Sequence, residues 1–151
     1  MLTKKPVLFL AFSVFFAASL HAANVSFLVA ATEESPAGRL AAVLENSLMD
    51  AFFSEGHIVS SAPGIRLAGS GEKTGIPEEA RAQYEEAKNA GMEYFLLAVI
   101  GTDGSTVYLR LFATQSGSMA GEKILTGTSW NTPGGLESLR QAAAEMAGFI
   151  R

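Results

Sequence analysis

Cysteine is absent from this sequence of 151 residues, and histidine occurs only twice. The absence of cysteine excludes disulfides, thiolate zinc sites, cysteine nucleophiles and attachment of lipid to a cysteine. His57 is the only histidine beyond residue 22, and zinc sites usually draw on several histidine or cysteine ligands. We therefore expect no metal, no cofactor and a fold that is held together by its hydrophobic core alone.

Motifs for catalysis are also missing. The sequence has no Gly-x-Ser-x-Gly elbow that would pair a serine nucleophile with His57. The segment GSGEKT at 69–74 is similar to a phosphate-binding loop, but Glu72 stands where that motif requires glycine, directly before Lys73. The simpler interpretation of this segment is a flexible surface loop. We expect no catalytic residue and no enzyme activity.

The first 22 residues have the three parts of a secretory signal. Lys4 and Lys5 form a positive start, an apolar run follows over 6–20, and Ala22 and Ala23 are small residues where a signal peptidase cuts. The apolar run is about 15 residues long, shorter than the roughly 20 that span a bilayer. We predict a cleavable signal at 1–22, cut after Ala22 or Ala23, and a single α/β domain at 23–151. The mature protein is then expected in the periplasm, without a lipid anchor or stable membrane insertion.

The charge balance is acidic once this segment is removed. The full chain has 11 basic and 15 acidic residues, and two of the basic ones, Lys4 and Lys5, belong to the predicted signal. The remaining 9 basic and 15 acidic residues give a formal charge of −6. That sign disfavours binding to nucleic acid or to an anionic membrane surface.

Hydrophobic periodicity and turn residues divide the mature chain into eight elements. Runs rich in valine, leucine and phenylalanine predict strands, and apolar residues spaced three or four apart predict helices. The segment 61–75 is rich in glycine and proline and is expected to be a loop. The predicted elements are a strand at 24–31, a helix from Ser35-Pro36 to Gly56, a strand at 57–60, a helix at 77–90, strands at 94–100, 106–113 and 122–130, and a helix from Thr132-Pro133 onward.

The resulting order, βαβαβββα, predicts a three-layer α/β sandwich. Strand–helix–strand units favour parallel neighbours that are joined by right-handed crossovers. The short turns near 102–105 and 115–121 force the fourth strand to run antiparallel. A mixed five-stranded sheet in the order 2-1-3-4-5, with helices covering both faces, satisfies these constraints.

Three segments of the mature chain also match a known pattern. A helix ends at Gly56 before Ile58-Val59, the helix end AKNAGMEY at 87–94 precedes an apolar strand, and LRLFATQSG occupies 109–117. This pattern resembles a group of bacterial periplasmic domains that includes the TolB amino-terminal domain, the curli secretion protein CsgG and the penicillin-binding-protein activator LpoB.

The resemblance implies a domain that contacts another envelope protein, without catalysis or a cofactor. The chain departs from the group at Met92-Glu93, where Ala-Asp is usual, and at Ala113, where an aspartate is common. It also has no lipidation cysteine, no propeller sequence and no membrane-crossing hairpins. These absences remove the specific functions of individual members and leave the fold.

Four apolar residues are candidates for contact with a partner protein. Ala42, Met49 and Phe53 line up opposite the core face of the first predicted helix, and a helix that is apolar on two sides is expected to pack against something else. Trp130, between the last strand and the last helix, would anchor a partner if it were exposed. The alternatives are that Phe53 folds back over the helix end, that Met49 is an isolated surface residue, and that Trp130 closes the end of the sheet.

These observations predict a non-catalytic periplasmic domain that binds another envelope protein during assembly of the envelope or of a surface structure. The alternative is a periplasmic domain that binds a small molecule or a glycan through the strand ends and the loop at 61–75. A pocket lined by aromatic residues near that loop would favour the alternative.

Overall fold

The computed structural model describes residues 22–33, 35, 38–127, 130 and 132–150. Most of the predicted signal, Pro36 and the last residue lie outside these ranges. The second predicted helix, 77–90, is a short 3-10 turn at Glu78–Ala80 followed by an α-helix. The elements in the described ranges are β1 (Asn24–Thr32), α1 (Gly38–Ser54), β2 (Ile58–Ser61), β3 (Ile65–Leu67), α2 (Arg81–Asn89), β4 (Tyr94–Ile100), β5 (Thr106–Ala113), β6 (Met119–Thr126) and α3 (Pro133–Ala147).

The strands form one mixed sheet, as the sequence predicts. β1 pairs in parallel with β2 on one side and with β4 on the other. β5 runs antiparallel to β4, and β6 runs antiparallel to β5. The order β2-β1-β4-β5-β6 confirms the predicted 2-1-3-4-5 arrangement, in which the fourth strand, now β5, is the antiparallel one.

The sheet contains one strand that the sequence does not predict. β3 lies within the segment expected to be a loop, and it pairs in parallel with Ala30–Thr32 of β1. β1 is nine residues long and β2 only four, so the end of β1 is left for a second neighbour. Three residues carry too little periodicity to predict a strand. Within the part of the chain that the structure describes, the sheet therefore has six strands instead of five, and β2 and β3 share one interrupted edge.

The last strand begins and ends earlier than predicted, at 119–126 instead of 122–130. Gly121 resembles a turn residue in the sequence, but it lies inside the strand. The ring of Phe149 occupies the space where a β-carbon on this residue would stand. Close packing of the carboxyl-terminal segment therefore requires a glycine inside the strand.

Helices cover both faces of the sheet and complete the three layers. On one face, α1 and α3 pack against β1, β4 and β5, and Phe52 meets Phe27 edge-to-face with 5.1 Å between ring centroids. On the other face, Tyr84 of α2 meets Phe95 of β4 in the same geometry at 5.5 Å. β1 and β4 are buried on both faces, which explains why their sequences are apolar without alternation.

Candidate functional site

The outer edge of β2 presents unpaired backbone groups. The N–H groups of Ile58 and Ala62 donate to carbonyls on the β1 side. Because alternate residues of a strand direct their N–H and C=O groups to opposite sides, those of Val59 and Ser61 point away from β1. No strand among the described residues pairs with that side. Such an edge is a template for pairing with a strand from another chain.

A groove of about 210 Å³ runs beside this edge, between β2 and α2. Pockets for drug-sized ligands usually measure about 300–1,000 Å³, so this groove is sized for one or two side chains. The sheet side is lined mainly by hydroxyls and the helix side by an amide, a carboxylate and small residues. The main lining residues are Ser26, Ser60, Ser61, Gln83, Glu86 and Ala87.

Gln83 lines this groove and carries a hydrogen-bond acceptor without a partner in the described ranges. Its Oε1 atom is buried, and no described residue donates to it. A buried acceptor without a partner costs about 1–3 kcal/mol. The sequence gives no signal for Gln83, because one glutamine on an otherwise charged helix is ordinary.

Carboxylates lie on both sides of the β2 edge. Glu86 lines the groove, and Glu45 of α1 accepts a hydrogen bond from the Ser61 hydroxyl. β2 itself has no charged residue, whereas β6, at the opposite edge, carries Glu122 and Lys123 and contains a register shift. Charges and bulges oppose pairing between edges, so β2 is the edge better suited to strand addition.

The predicted partner residues on α1 have different environments. Ala42 is exposed, and Phe53 is 73% exposed at the end of α1, near the exposed Ile58 at the start of β2. Met49 is half-buried and packs against the core. Met49 therefore lies against the core and not opposite it as expected. The partner-binding role of Ala42 and Phe53 stays a prediction.

Trp130 is buried rather than presented to a partner. It is 8% exposed, and its Nε1–H group donates to the carbonyl of Gly104 at 2.9 Å. A β-carbon on Gly127 would lie 3.3–3.5 Å from carbons of the Trp130 ring, so this glycine lets the indole pack closely. This environment corrects the prediction of an exposed anchor and agrees with the alternative, in which Trp130 closes the end of the sheet. The neighbouring Asn131 lies outside the described residues.

A buried arginine, which was not among the predicted functional residues, connects β5 to β6 and to the glycine-rich segment. Arg110 of β5 is 2% exposed, and its Nε–H group donates to Glu122 Oε2 at 2.8 Å. Its terminal nitrogens donate to the carbonyls of Gly71 and Glu72 at 3.1 and 3.2 Å. The guanidinium carbon also lies 4.9 Å from the centroid of the Tyr108 ring. The signal in the sequence is a charged residue on an alternating, otherwise apolar strand.

These contacts fix the glycine-rich segment at 69–73 against the sheet. Gly71 has φ +78°, and a β-carbon on it would collide with Val99. The segment is a surface loop as expected, but these contacts hold its middle in place. The adjoining cavity, of about 80 Å³, is lined by Lys73 and Arg110 among others and by no aromatic residue. Its size and lining do not favour the small-molecule or glycan alternative.

Carboxylates elsewhere act as local caps. Hydrogen bonds from its own backbone N–H and from that of Ala68 lower the pKa of the exposed Glu79 carboxyl. The hydroxyl and the N–H of Ser105 lower the pKa of Asp103 in the same way.

Within the described ranges, no group of three or more histidine, aspartate or glutamate side chains is placed to hold a metal ion. The helices of those ranges also include none that is long and apolar enough to cross a membrane.

The chain is thus a three-layer α/β domain in which the outer edge of β2 has no neighbouring strand among the described residues and lies beside α2. The sequence matches no protein-family model and no curated protein. Among solved structures, it is similar to a dodecamer of PelC from Paraburkholderia phytofirmans, with a TM-score of 0.54 and 16% identity. The match covers 86% of this chain and 90% of PelC. At this identity the similarity concerns the fold alone.

Two other solved structures are similar at lower TM-scores. TolB from Acinetobacter baumannii gives a TM-score of 0.45 at 15% identity, over 85% of this chain and 27% of TolB. The lipoprotein GNA1162 from Neisseria meningitidis gives 0.46 at 17% identity, over 85% of this chain and 99% of the lipoprotein. These values do not assign the chain to a family.

Proposed function

We propose that the chain is a non-catalytic protein-binding domain of the bacterial cell envelope, located in the periplasm after export. Its partner adds an extended segment to the free edge of β2. The observation that carries this proposal is the outward direction of the backbone groups of Val59 and Ser61, beside a groove lined by Gln83, whose Oε1 atom has no partner among the described residues. The complement of such a set of groups is another polypeptide.

The chemistry of the groove specifies what the added segment carries. Side chains of an extended strand alternate between its two sides, so every second one enters the groove between β2 and α2. Gln83 offers an acceptor there and Glu86 a carboxylate, while Glu45 lies on the α1 side. Lysine, arginine, asparagine or glutamine side chains supply the matching donors. We expect a basic or amide-rich segment.

Capture of partners from an envelope extract tests this proposal when it is coupled to a substitution at the edge. Ser61→Pro removes an outward N–H group, and proline is tolerated on an edge strand because no ladder bond is lost. Ser61→Ala is the matched control, since it removes only the hydroxyl. We expect the wild-type domain and Ser61→Ala to retain the same protein and Ser61→Pro to lose it.

Two outcomes contradict the proposal at different levels. Equal capture by Ser61→Pro would exclude the β2 edge as the docking site and leave protein binding intact. The absence of any specific protein across several extraction conditions would count against the protein-binding function itself. Circular dichroism of each variant checks that the domain remains folded.

Gln83→Leu separates binding from stability. Because Oε1 of Gln83 has no partner among the described residues, replacing the amide with an apolar group of similar size is expected to leave stability unchanged or to raise it slightly. Partner capture is nevertheless expected to fall, since the acceptor in the groove is gone. A clear loss of stability in urea would show that the amide is already satisfied in the free domain.

A second copy of the chain is the first partner to test. PelC, which has a similar fold, forms a dodecamer. Sedimentation velocity over a range of concentrations measures self-association directly. An oligomer that Ser61→Pro dissociates and Ser61→Ala does not would identify the chain itself as the source of the added strand.

A further inference from the structure

The first described residues change abruptly from exposed to buried. Ala22 is exposed, whereas Ala23 is fully buried although it precedes β1. The N–H of Ala23 donates to Nδ1 of His57 at 3.1 Å, and its carbonyl accepts from the N–H of Ile58 at 2.9 Å. Ala23 is therefore tied to the folded domain through both its N–H group and its carbonyl, whereas Ala22 is exposed.

We propose that signal peptidase cuts between Ala22 and Ala23, and that the new α-amino group is seated on Nδ1 of His57. Water hydrolyses the amide that joins the two alanines. The C–N bond breaks, the water oxygen joins the Ala22 carbonyl carbon to form a carboxylate, and the Ala23 nitrogen takes up both protons of the water to become an ammonium group. That nitrogen keeps an N–H donor, so its hydrogen bond to the imidazole survives the cut.

Cleavage one residue later would remove groups on which the domain depends. Without Ala23, the N–H of Ile58 and Nδ1 of His57 would both lose their partners, and a buried methyl group would be replaced by a void. Buried polar groups without partners destabilise a fold. The structure thus selects one of the two cuts that the small residues of the sequence allow.

The surroundings of the new terminus suit an amino group. His57 is buried and packs beside Phe52, with 6.1 Å between the ring centroids, so its ring is held in place. One residue further on, the N–H of Asn24 donates to the carboxylate of Glu93 at 3.0 Å. A fixed acceptor at His57 and a carboxylate at Glu93 therefore lie beside consecutive backbone nitrogens. An ammonium group is the cation that this arrangement accommodates.

The cleavage site is tested by expressing the full chain with its signal in a bacterium and purifying it from the periplasm. Intact mass and amino-terminal sequencing then give the first residue. We expect Ala23. A chain that begins at Asn24 or at any other residue, or that keeps residues 1–22, would overturn the proposal.

The hydrogen bond between the new α-amino group and His57 is tested by the rate at which an amine-reactive reagent labels that amino group. The reaction is run near neutral pH, where α-amines of pKa about 7.7–8.0 react before lysines. His57→Phe removes the acceptor and keeps an aromatic ring, whereas the oxygen of His57→Asn can replace Nδ1. We expect labelling to be roughly tenfold faster in His57→Phe than in wild type or His57→Asn.

The unfolded state provides the reference for this measurement. Wild-type protein in denaturing urea gives the unprotected rate, so protection is measured even if His57→Phe does not fold. Equal labelling of the folded and the unfolded wild-type chain would show that the amino group is free in solution. That result would overturn the seat whatever the sequencing gives.

Discussion

At the scale of single residues, two neighbouring phenylalanines on α1 lie in opposite environments. Phe52 is fully buried against Phe27, and Phe53 is mostly exposed. We expect Phe52→Ala to lower the free energy of unfolding by about 3–5 kcal/mol, because it leaves a cavity in the core. Phe53→Ala is the matched control and should change it by less than about 0.5 kcal/mol. Urea unfolding at equilibrium measures both.

The same pair distinguishes packing from binding. If Phe53 contacts a partner, Phe53→Ala will weaken partner capture while stability stays constant. Similar losses of stability in both variants would mean instead that the Phe53 ring folds back over the end of α1. That was one of the alternatives open from the sequence.

Arg110 gives a second prediction at this scale. Arg110→Ala leaves the partly buried Glu122 and the carbonyls of Gly71 and Glu72 without their donor, and each acceptor left unsatisfied in this way costs about 1–3 kcal/mol. Arg140→Ala is the control. Its ion pair with Glu137, at 3.8 Å, is exposed and should contribute less than about 1 kcal/mol. Chemical denaturation compares the two variants.

Proteolysis reports the local effect of losing this arginine. Lys73 lies in the segment that Arg110 holds, so trypsin should cut after Lys73 faster in Arg110→Ala than in wild type or Arg140→Ala. An unchanged rate of cutting would mean that Gly71, packed on Val99, fixes the segment without the arginine.

The burial of a residue can be predicted from the sequence only where apolar residues recur with the period of a helix or a strand. The 3.6-residue period of α1 identifies Leu44 and Leu48 as core, and both are fully buried. It fails for Met49, which is half-buried and packs against the core although the period sets it away from Leu44 and Leu48. Arg110 binds the carbonyl of Gly71, which lies 39 positions away in the sequence, and Gln83 lines a groove together with Ser26 of β1. No local sequence pattern contains such distant contacts, so neither role could be predicted.

At the scale of elements, Glu79 links the end of β3 to the turn before α2. Its carboxylate accepts from the N–H of Ala68 at 3.0 Å, and its pKa is lowered from 4.5, first by its own backbone N–H and then by that of Ala68. A lowered pKa means that the charged form stabilises the folded state. This contribution is present above the unfolded pKa and is lost as the pH falls through the lower folded pKa.

We therefore expect carbon NMR titration to place the pKa of Glu79 below 4.5. We also expect the wild-type chain to lose more stability than Glu79→Gln between about pH 6 and about pH 3. Glutamine keeps an acceptor for Ala68 and does not titrate, so it isolates the charge. A titration at or above the ordinary value would contradict the observed hydrogen bond.

Strands were predicted well where their own sequence shows which residues are buried. β1, β4 and β5 were placed to within a residue, since their runs are long and strongly apolar or alternating. β3 and the start of β6 were missed because pairing with β1 and packing under Phe149 define them. The β2 edge was likewise outside the prediction, since an edge is defined by what does not pair with it.

At the scale of the whole molecule, the two faces of the core are not independent. Both faces are built on the same three strands, β1, β4 and β5, with α1 and α3 on one side and α2 on the other. Loss of either face removes packing from strands on which the other depends. We therefore expect the domain to unfold in one cooperative transition, as most single domains of this size do.

Trp130 is the probe for this cooperativity, because it is the only tryptophan and lies buried between β6 and α3, far from α2 in sequence. Its emission should be blue-shifted in the folded state and should move to the red at the same urea concentration at which far-UV circular dichroism is lost. Both probes should give an m value of about 1–3 kcal/mol/M. If the fluorescence changed at a clearly lower urea concentration, the junction at Trp130 would open before the sheet. The hydrogen bond to Gly104 would then hold the indole only locally, and the sheet would form a separate cooperative unit.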